Sequence, residues 1–173
     1  MKLPVLAAAL GVSLVAAAFA ASPARADDDS AAYRANVGLH IGIAPVLLIP
    51  TEGGPLGGGL DLDARYGIPV GPAIIAPGGR LAGYYDDSHF IGIAMPTARV
   101  TFPLGPFAPF VVGGVGPGLV TNPSEGGVAL LGGGGLMVHF GDHFALGAEA
   151  TYQTITSTGF HELAIGPAIL LSF

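Results

Sequence analysis

What most constrains this chain is a period-two alternation in which charged residues keep to the face of small side chains. In ELAIGPAILLSF, the run from Glu162 to Phe173, the residues Leu163, Ile165, Ile169, Leu171 and Phe173 share one side. Glu162, Ala164, Gly166, Ala168 and Ser172 take the other, and Leu170 breaks the rule. Phe144, Leu146, Ala148, Ala150 and Tyr152 oppose Gly147, Glu149, Thr151 and Gln153 in the same way. Leu60, Leu62, Ala64, Tyr66 and Ile68 oppose Asp61, Asp63 and Arg65. A period of two is that of a β-strand. Turn chemistry divides the chain from Arg34 onward into eight strand cores, at about 35–49, 57–69, 74–85, 90–103, 107–121, 127–140, 144–156 and 160–173.

The connections fall into two alternating classes. IPVGPA, FPLGPF and HFGDHF are tight and rich in Pro and Gly, whereas PTEGGP, YDDSH, TNPSEGG and TSTG are polar or acidic. An up-and-down sheet whose termini share one side needs this alternation, and eight strands can close into a barrel. The 29 glycines and 15 prolines oppose long helices, because each costs about 1 or about 3 kcal/mol inside one.

Side-chain size decides which face looks inward. A water-facing surface normally carries Lys and Glu, and no lysine follows Lys2. The polar face is mostly Gly, Ala, Thr and Ser, which suits a narrow barrel interior. The bulky face then meets lipid. A one-residue slip in register would exchange the faces. It would put Arg65, Arg80 or Arg99 into hydrocarbon, at about 2–4 kcal/mol each near the midplane. Two aromatic belts are expected at the edges of the apolar band. Phe102, Phe107, Phe140, Phe144 and Phe173 mark the tight-turn end, and Tyr84, Tyr85, Phe90, Tyr152 and Phe160 mark the other. Pro45, Pro77, Pro96, Pro117 and Pro167 fall inside strands with outward parity. A closed barrel has no edge strand to host them, so bulges or local openings are expected. GIAP, GIAMP, GVGP and AIGP recur as a loose motif around four of them.

The chain begins with Lys2, an apolar stretch from Leu3 to Ala21, and the small-residue triplet Ala24-Arg25-Ala26. That order predicts a cleavable signal peptide over 1–26, with cleavage after Ala26 ahead of cleavage after Ala20. A short acidic tail over 27–33 would follow, then the barrel over 34–173. After the signal, no unbroken apolar run is long enough for a spanning helix. A net charge of −6 opposes a nucleic-acid partner. With no cysteine, disulfides and thiolate chemistry are excluded.

Taken together, signal, strand count and the ending AILLSF make the chain resemble the small eight-stranded outer-membrane β-barrels of the OmpA/OmpX/OmpW type. The resemblance covers nearly all of residues 34–173. It implies an all-β, antiparallel up-and-down transmembrane barrel in the outer membrane of a Gram-negative bacterium. It also implies that Ile165, Ile169, Leu171 and Phe173 form a C-terminal signature read by the barrel-assembly machinery. Outer-membrane lipids and lipopolysaccharide are the expected surroundings.

Within the barrel, Asp61, Asp63, Arg65, Arg80, Arg99, Glu149 and Glu162 are expected to form a lumen ion-pair network, with Gln153 beside them. Buried charges must be paired. His40, His89 and His139 take inward parity, His143 a turn, and His161 outward parity near an outer loop. No metal-ligand spacing links them, and no metal or cofactor is expected. Ser88-His89, and Ser157 with His161-Glu162, are the residues nearest to a catalytic set, and neither forms a recognisable motif. Gly113, Gly114, Gly116 and Gly118 neighbour Gly132 to Gly135 on strands five and six. A soft wall is expected there, open to an apolar ligand or to a second barrel. Glu52, Asp86, Asp87 and Glu125 line the outer loops and reach lipopolysaccharide phosphates only through divalent cations. The leading functional expectation is a non-enzymatic structural, envelope-maintenance or surface-interaction role. A narrow pore or lateral conduit, and a secreted lipocalin-like binder, are the alternatives.

Overall fold

The computed structural model describes residues 30–87 and 89–173. A short helix, α1 (Ala31–Asn36), precedes eight strands: β1 (Gly38–Pro50), β2 (Gly57–Val70), β3 (Ala73–Asp86), β4 (His89–Thr101), β5 (Phe107–Val120), β6 (Glu125–His139), β7 (Phe144–Ile155) and β8 (His161–Ser172). Each strand pairs antiparallel with the next, and β1 pairs with β8, so the sheet closes into a barrel. The eight strand cores read from the alternation lie within a few residues of these bounds. The tight turns and both chain ends of the barrel share one end, here the terminal end. The polar connections share the other, the loop end. The expected signal peptide, the start of the expected tail and Ser88 lie outside the described residues.

The barrel is inside-out relative to a water-soluble sheet. Outward Leu81 is 61% exposed, whereas its neighbour Arg80 is 3% exposed and Arg99 4%. All five prolines point outward, as their parity requires. Tyr84 and Phe160 depart from expectation. Their place in the sequence assigns them to the loop-end aromatic belt, yet both are buried inside the barrel, where their rings stack with centroids 6.4 Å apart. Tyr84 follows the parity of Arg80 and Ala82 along β3, and that parity overrides the preference of an aromatic for the interface. Tyr85, Phe90 and Tyr152 do face outward at the loop end, as do Phe107, Phe140, Phe144 and Phe173 at the terminal end.

A second correction concerns the residues before β1. The sequence predicts a solvated tail to residue 33 and a strand from 35, but residues 31–36 are helical. Six residues are too few to hold a helix alone, so local caps and packing must hold it. Ser30 Oγ accepts the Tyr33 N–H at 3.1 Å, an N-cap. Ala32 and Ala35 are fully buried against the terminal end of the barrel. Asn36 Nδ2 donates to Ala32 O at 2.7 Å and to His139 Nε2 at 2.9 Å. Alternation was not a usable signal here, because small alanines suit either geometry.

No bulge accompanies the prolines, since every strand pair keeps one register throughout. The ladder opens locally instead. Between β1 and β8 it is interrupted from Ala44 to Val46, where Pro45 stands opposite Pro167. Between β4 and β5 it is interrupted from Ala94 to Pro96, opposite Val115 to Pro117. A third gap lies between β2 and β3 at Tyr66–Gly67, opposite Pro77. The expected soft wall of β5 and β6 shows no such gap, because pairing there runs unbroken from Phe107 with Val138 to Val120 with Glu125. Glycine weakens a strand but keeps its N–H, whereas proline does not.

Two glycines separate sterics from composition. A Cβ on Gly166 would strike the backbone carbonyl of Pro45, whereas one on Gly132 would meet nothing within 4 Å. Gly166→Ala is expected to destabilise the barrel by about 1–3 kcal/mol, and Gly132→Ala to leave it unchanged. Urea titration of the refolded protein, read by gel mobility without boiling, checks both.

Candidate functional site

The interior is built from side chains that alternate inward along every strand. Its centre is a salt-bridged cluster contributed by β2, β3, β4 and β7. Arg80 Nη1 donates to Asp61 Oδ2 at 3.0 Å and its Nη2 to Glu149 Oε1 at 2.5 Å. Arg99 Nη2 donates to Glu149 Oε2 at 2.9 Å. Glu149 therefore spans two arginines with its two oxygens, and all three residues are at least 95% buried. Arg65 pairs with Asp63, two residues away on the same strand. Three arginines thus meet three carboxylates and the cluster is formally neutral. A buried cluster tolerates the loss of water only in that condition.

Neutral groups complete the packing. The Arg99 guanidinium lies 3.6 Å from the centroid of the Phe110 ring, a cation–π contact that the sequence did not reveal. The Tyr84 hydroxyl lies 2.5 Å from Asp61 Oδ1 and 2.9 Å from Gln153 Oε1, and its one proton serves both. Gln153 Nε2 in turn donates to Thr151 Oγ1 at 3.1 Å. Leu48, Ile91, Ile155 and Phe160 pack the interior towards the loop end. At the terminal end His40 Nε2 donates to Ala35 O at 2.7 Å, and α1 closes the mouth. The space among Arg65, Arg80, Arg99 and Glu149 is about 10 Å³, the room of about one water molecule.

Glu162 does not join the network. It is buried on β8 near the loop end, and among the described residues its Oε2 has no hydrogen-bond partner and no arginine pairs with it. Parity predicts its inward direction but carries no information on height along the barrel axis. Ile165, Ile169, Leu171 and Phe173 all face outward, and the Phe173 N–H donates to Leu39 O at 3.0 Å.

The remaining titratable groups are dispersed. His143 Nδ1 sits 3.1 Å from Ser172 O, and His89 Nδ1 sits 3.0 Å from Asp86 Oδ1. His161 Nδ1 lies 2.8 Å from Thr154 Oγ1 rather than against Ser157, and its neighbour Glu162 points into the barrel. A hydroxyl–imidazole pair on the outer wall without an acid to orient the ring is not a triad. Among the described residues no group of three or more His, Asp or Glu is arranged to hold a metal ion. Outside the strands, Arg34 of α1 donates to Asp142 at 3.0 Å, and this pair is half exposed. The guanidinium holds the Asp142 carboxyl below the usual carboxylate range.

No protein-family model matches the chain, and no curated protein does. Its likeness is to solved structures. The outer-membrane enzyme PagL shares 10% identity over 78% of this chain and 99% of that one, with a TM-score of 0.57. The N-terminal β-barrel domain of Pseudomonas aeruginosa OprF shares 16% over 78% and 97%, at 0.55. Ail, the attachment invasion locus protein of Yersinia pestis, shares 17% over 78% and 95%, also at 0.55.

Glu149→Gln is expected to cost about 3–5 kcal/mol of stability, because it leaves Arg99 buried without a counter-charge and Arg80 with Asp61 alone. Unfolding midpoints in urea check this. The Asp142 pair titrates at the surface. A carboxyl held low in the folded state contributes stability above its unfolded value and loses it as pH falls through the folded one. Protection of α1 amides from exchange is therefore expected to persist at pH 6 and to fall in acid, below the usual carboxylate range, and Asp142→Asn is expected to remove that step. The fold these comparisons point to is that of the small eight-stranded outer-membrane β-barrels.

Proposed function

We propose that this chain is an integral outer-membrane barrel that serves the envelope as a structural or surface-interaction protein, without catalysis. One observation carries the reading: large apolar side chains cover the outside of a closed sheet whose central charges are paired within. Leu39, Leu60, Leu62, Ile68, Leu81 and Leu136 are each at least 42% exposed. Such a surface suits hydrocarbon. It weighs against a secreted lipocalin-like binder, whose outer face would be wetted. The outward aromatics at both ends match the interfacial belts of such barrels. In this reading the terminal end faces the periplasm, and β8 with Phe173 is the strand presented to the assembly machinery.

The packed interior favours a structural role over a pore. Space for about one water molecule at the salt-bridged centre and α1 packed at one mouth support this preference. The loop end carries Glu52, Asp86, Asp87 and Glu125 on short connections, so surface contacts there favour cationic groups.

Two measurements test this reading. Outer-membrane fractions run on gels with and without boiling are expected to show a heat-dependent shift in mobility. Recovery of the protein in the soluble periplasmic fraction would overturn the assignment. In planar bilayers the pure protein is expected to give no steady conductance, and a stable ohmic step would sink the filled-lumen reading.

A further inference from the structure

We propose that α1 is a plug whose docking at the terminal mouth is released by acid, through protonation of His139. The mouth is shaped to receive it. Ala32 and Ala35 are fully buried there. Gly67 of β2 leaves the room that α1 needs, because a Cβ at that position would strike the Asn36 carbonyl. Three polar contacts then fix the helix in place. His40 of β1 donates from Nε2 to Ala35 O at 2.7 Å. Asn36 Nδ2 lies 2.7 Å from Ala32 O and 2.9 Å from Nε2 of His139 on β6. Both rings are buried, at 2% and 5% exposure. This docking is independent of the membrane placement proposed above.

The Asn36 amide decides the state of the His139 ring. Ala32 O is an acceptor, so the amide atom beside it must be the nitrogen, and that nitrogen donates. His139 Nε2 must therefore accept. An imidazole accepts there while it is neutral, with its proton on Nδ1. Nδ1 has no hydrogen-bond partner among the described residues, so the ring is held through Nε2. A second proton would enter at Nε2 and set one N–H against another. Turning the amide over would instead set Oδ1 against Ala32 O, acceptor against acceptor. Either way a buried contact of α1 is lost.

The surroundings do not offset that proton. β1 contributes His40, and β2 contributes Arg65, which is paired with Asp63. Arg99 of β4 lies further in, over the Phe110 ring. The β6–β7 turn contributes Asp142, which Arg34 of α1 already holds, and His143, which lies against Ser172 O. β3, β4, β5, β7 and β8 present Ile74, Thr101, Ala108, Ala145 and Ser172 at this end, and none of these titrates. His40 behaves differently from His139. A second proton on its ring enters at Nδ1 and leaves the bond from Nε2 to Ala35 O in place. The sign follows from linkage. Docked α1 binds one proton fewer than released α1, so docking is complete above the imidazole range and is lost as pH falls through it.

The test is amide exchange of α1 in the full barrel in mild detergent, corrected for the intrinsic pH dependence of exchange. Uptake of one proton by a ring with an ordinary imidazole value lowers protection about eightfold between pH 6 and pH 5. This fall lies above the Asp142 step, so Asp142→Asn is expected to keep it. His139→Gln supplies a carbonyl acceptor that does not titrate, and is expected to keep α1 docked with flat protection over the same range. A His139→Gln barrel that still shows the eightfold fall overturns the assignment to His139. Undiminished protection in the parent protein at pH 5 overturns the switch. Heat-dependent gel mobility at each pH follows the barrel itself, and a barrel that unfolds together with α1 overturns the plug as a separate unit. Nitrogen chemical shifts of the histidine rings in the parent protein need no variant. They are expected to show His139 neutral at pH 7 with its proton on Nδ1, and a ring protonated at Nε2 while α1 is protected overturns the proposal.

Discussion

Pairing of β1 with β8 is the constraint on which the rest of this structure depends. In hydrocarbon every backbone N–H and C=O must be satisfied inside the sheet, and an open edge is untenable. The seam nevertheless contains two residues that cannot donate. Phe173 N–H bonds Leu39 O, and antiparallel rungs repeat every second residue, so Pro45 with Pro167 falls on a bonded rung. Both donors are missing from the same rung. Setting the prolines face to face confines the loss to one place, where two separate positions would have opened two. The β4–β5 seam follows a related plan. Phe102 N–H bonds Pro109 O, so the rungs at Pro96 and Pro117 are also bonded positions, and they are adjacent. The four loosely repeated motifs, GIAP, GIAMP, GVGP and AIGP, therefore sit on two seams that lie on opposite walls and divide the barrel into β1–β4 and β5–β8.

Closure fixes the interior as well. Once register is set, parity delivers three arginines to a space too narrow for water to solvate them. The same parity supplies Asp61, Asp63 and Glu149 within reach, so the charges cancel where they meet. Glu149 is the keystone because its two oxygens answer different strands, β3 and β4, from β7 across the barrel. Removing it therefore costs more than one pair. The inward glycines belong to the same logic. With no side chain at Gly166, β8 approaches the Pro45 carbonyl closely, and the wall can curve tightly around the cluster.

Much of this was legible in the sequence because a period of two carries both direction and burial. Strand number, closure of the two connection classes, the inward arginines and the outward prolines all follow from it. What it could not carry was height along the barrel axis and any element of another period. Glu162 shares its parity with Ala164 and Ser172, but its place at the start of β8, opposite Pro50 and Gln153, sets it apart from the arginines described. Tyr84 and Phe160 look like interface aromatics by composition, while their parity sends them inward to stack. The α1 segment was missed because Ala31, Ala32 and Ala35 have no period to read, and a serine cap alone is a weak sign. Nor could alternation set Gly83 against Gly92 on the outer wall, because that register is fixed by strand pairing.

The interior is occupied by salt bridges, a tyrosine hydroxyl and apolar side chains, with about 10 Å³ of space at its centre, and emptying it would expose buried charge. That cost rigidifies the wall. A rigid wall can hold a shallow relief on its outer surface, because neighbouring strands cannot relax to fill a missing side chain as a fluid surface would. The loop end offers short connections. The lipid-facing surface, by contrast, is large, ordered and locally carved where glycines meet. In this barrel the packed interior is thus what supports the outer wall.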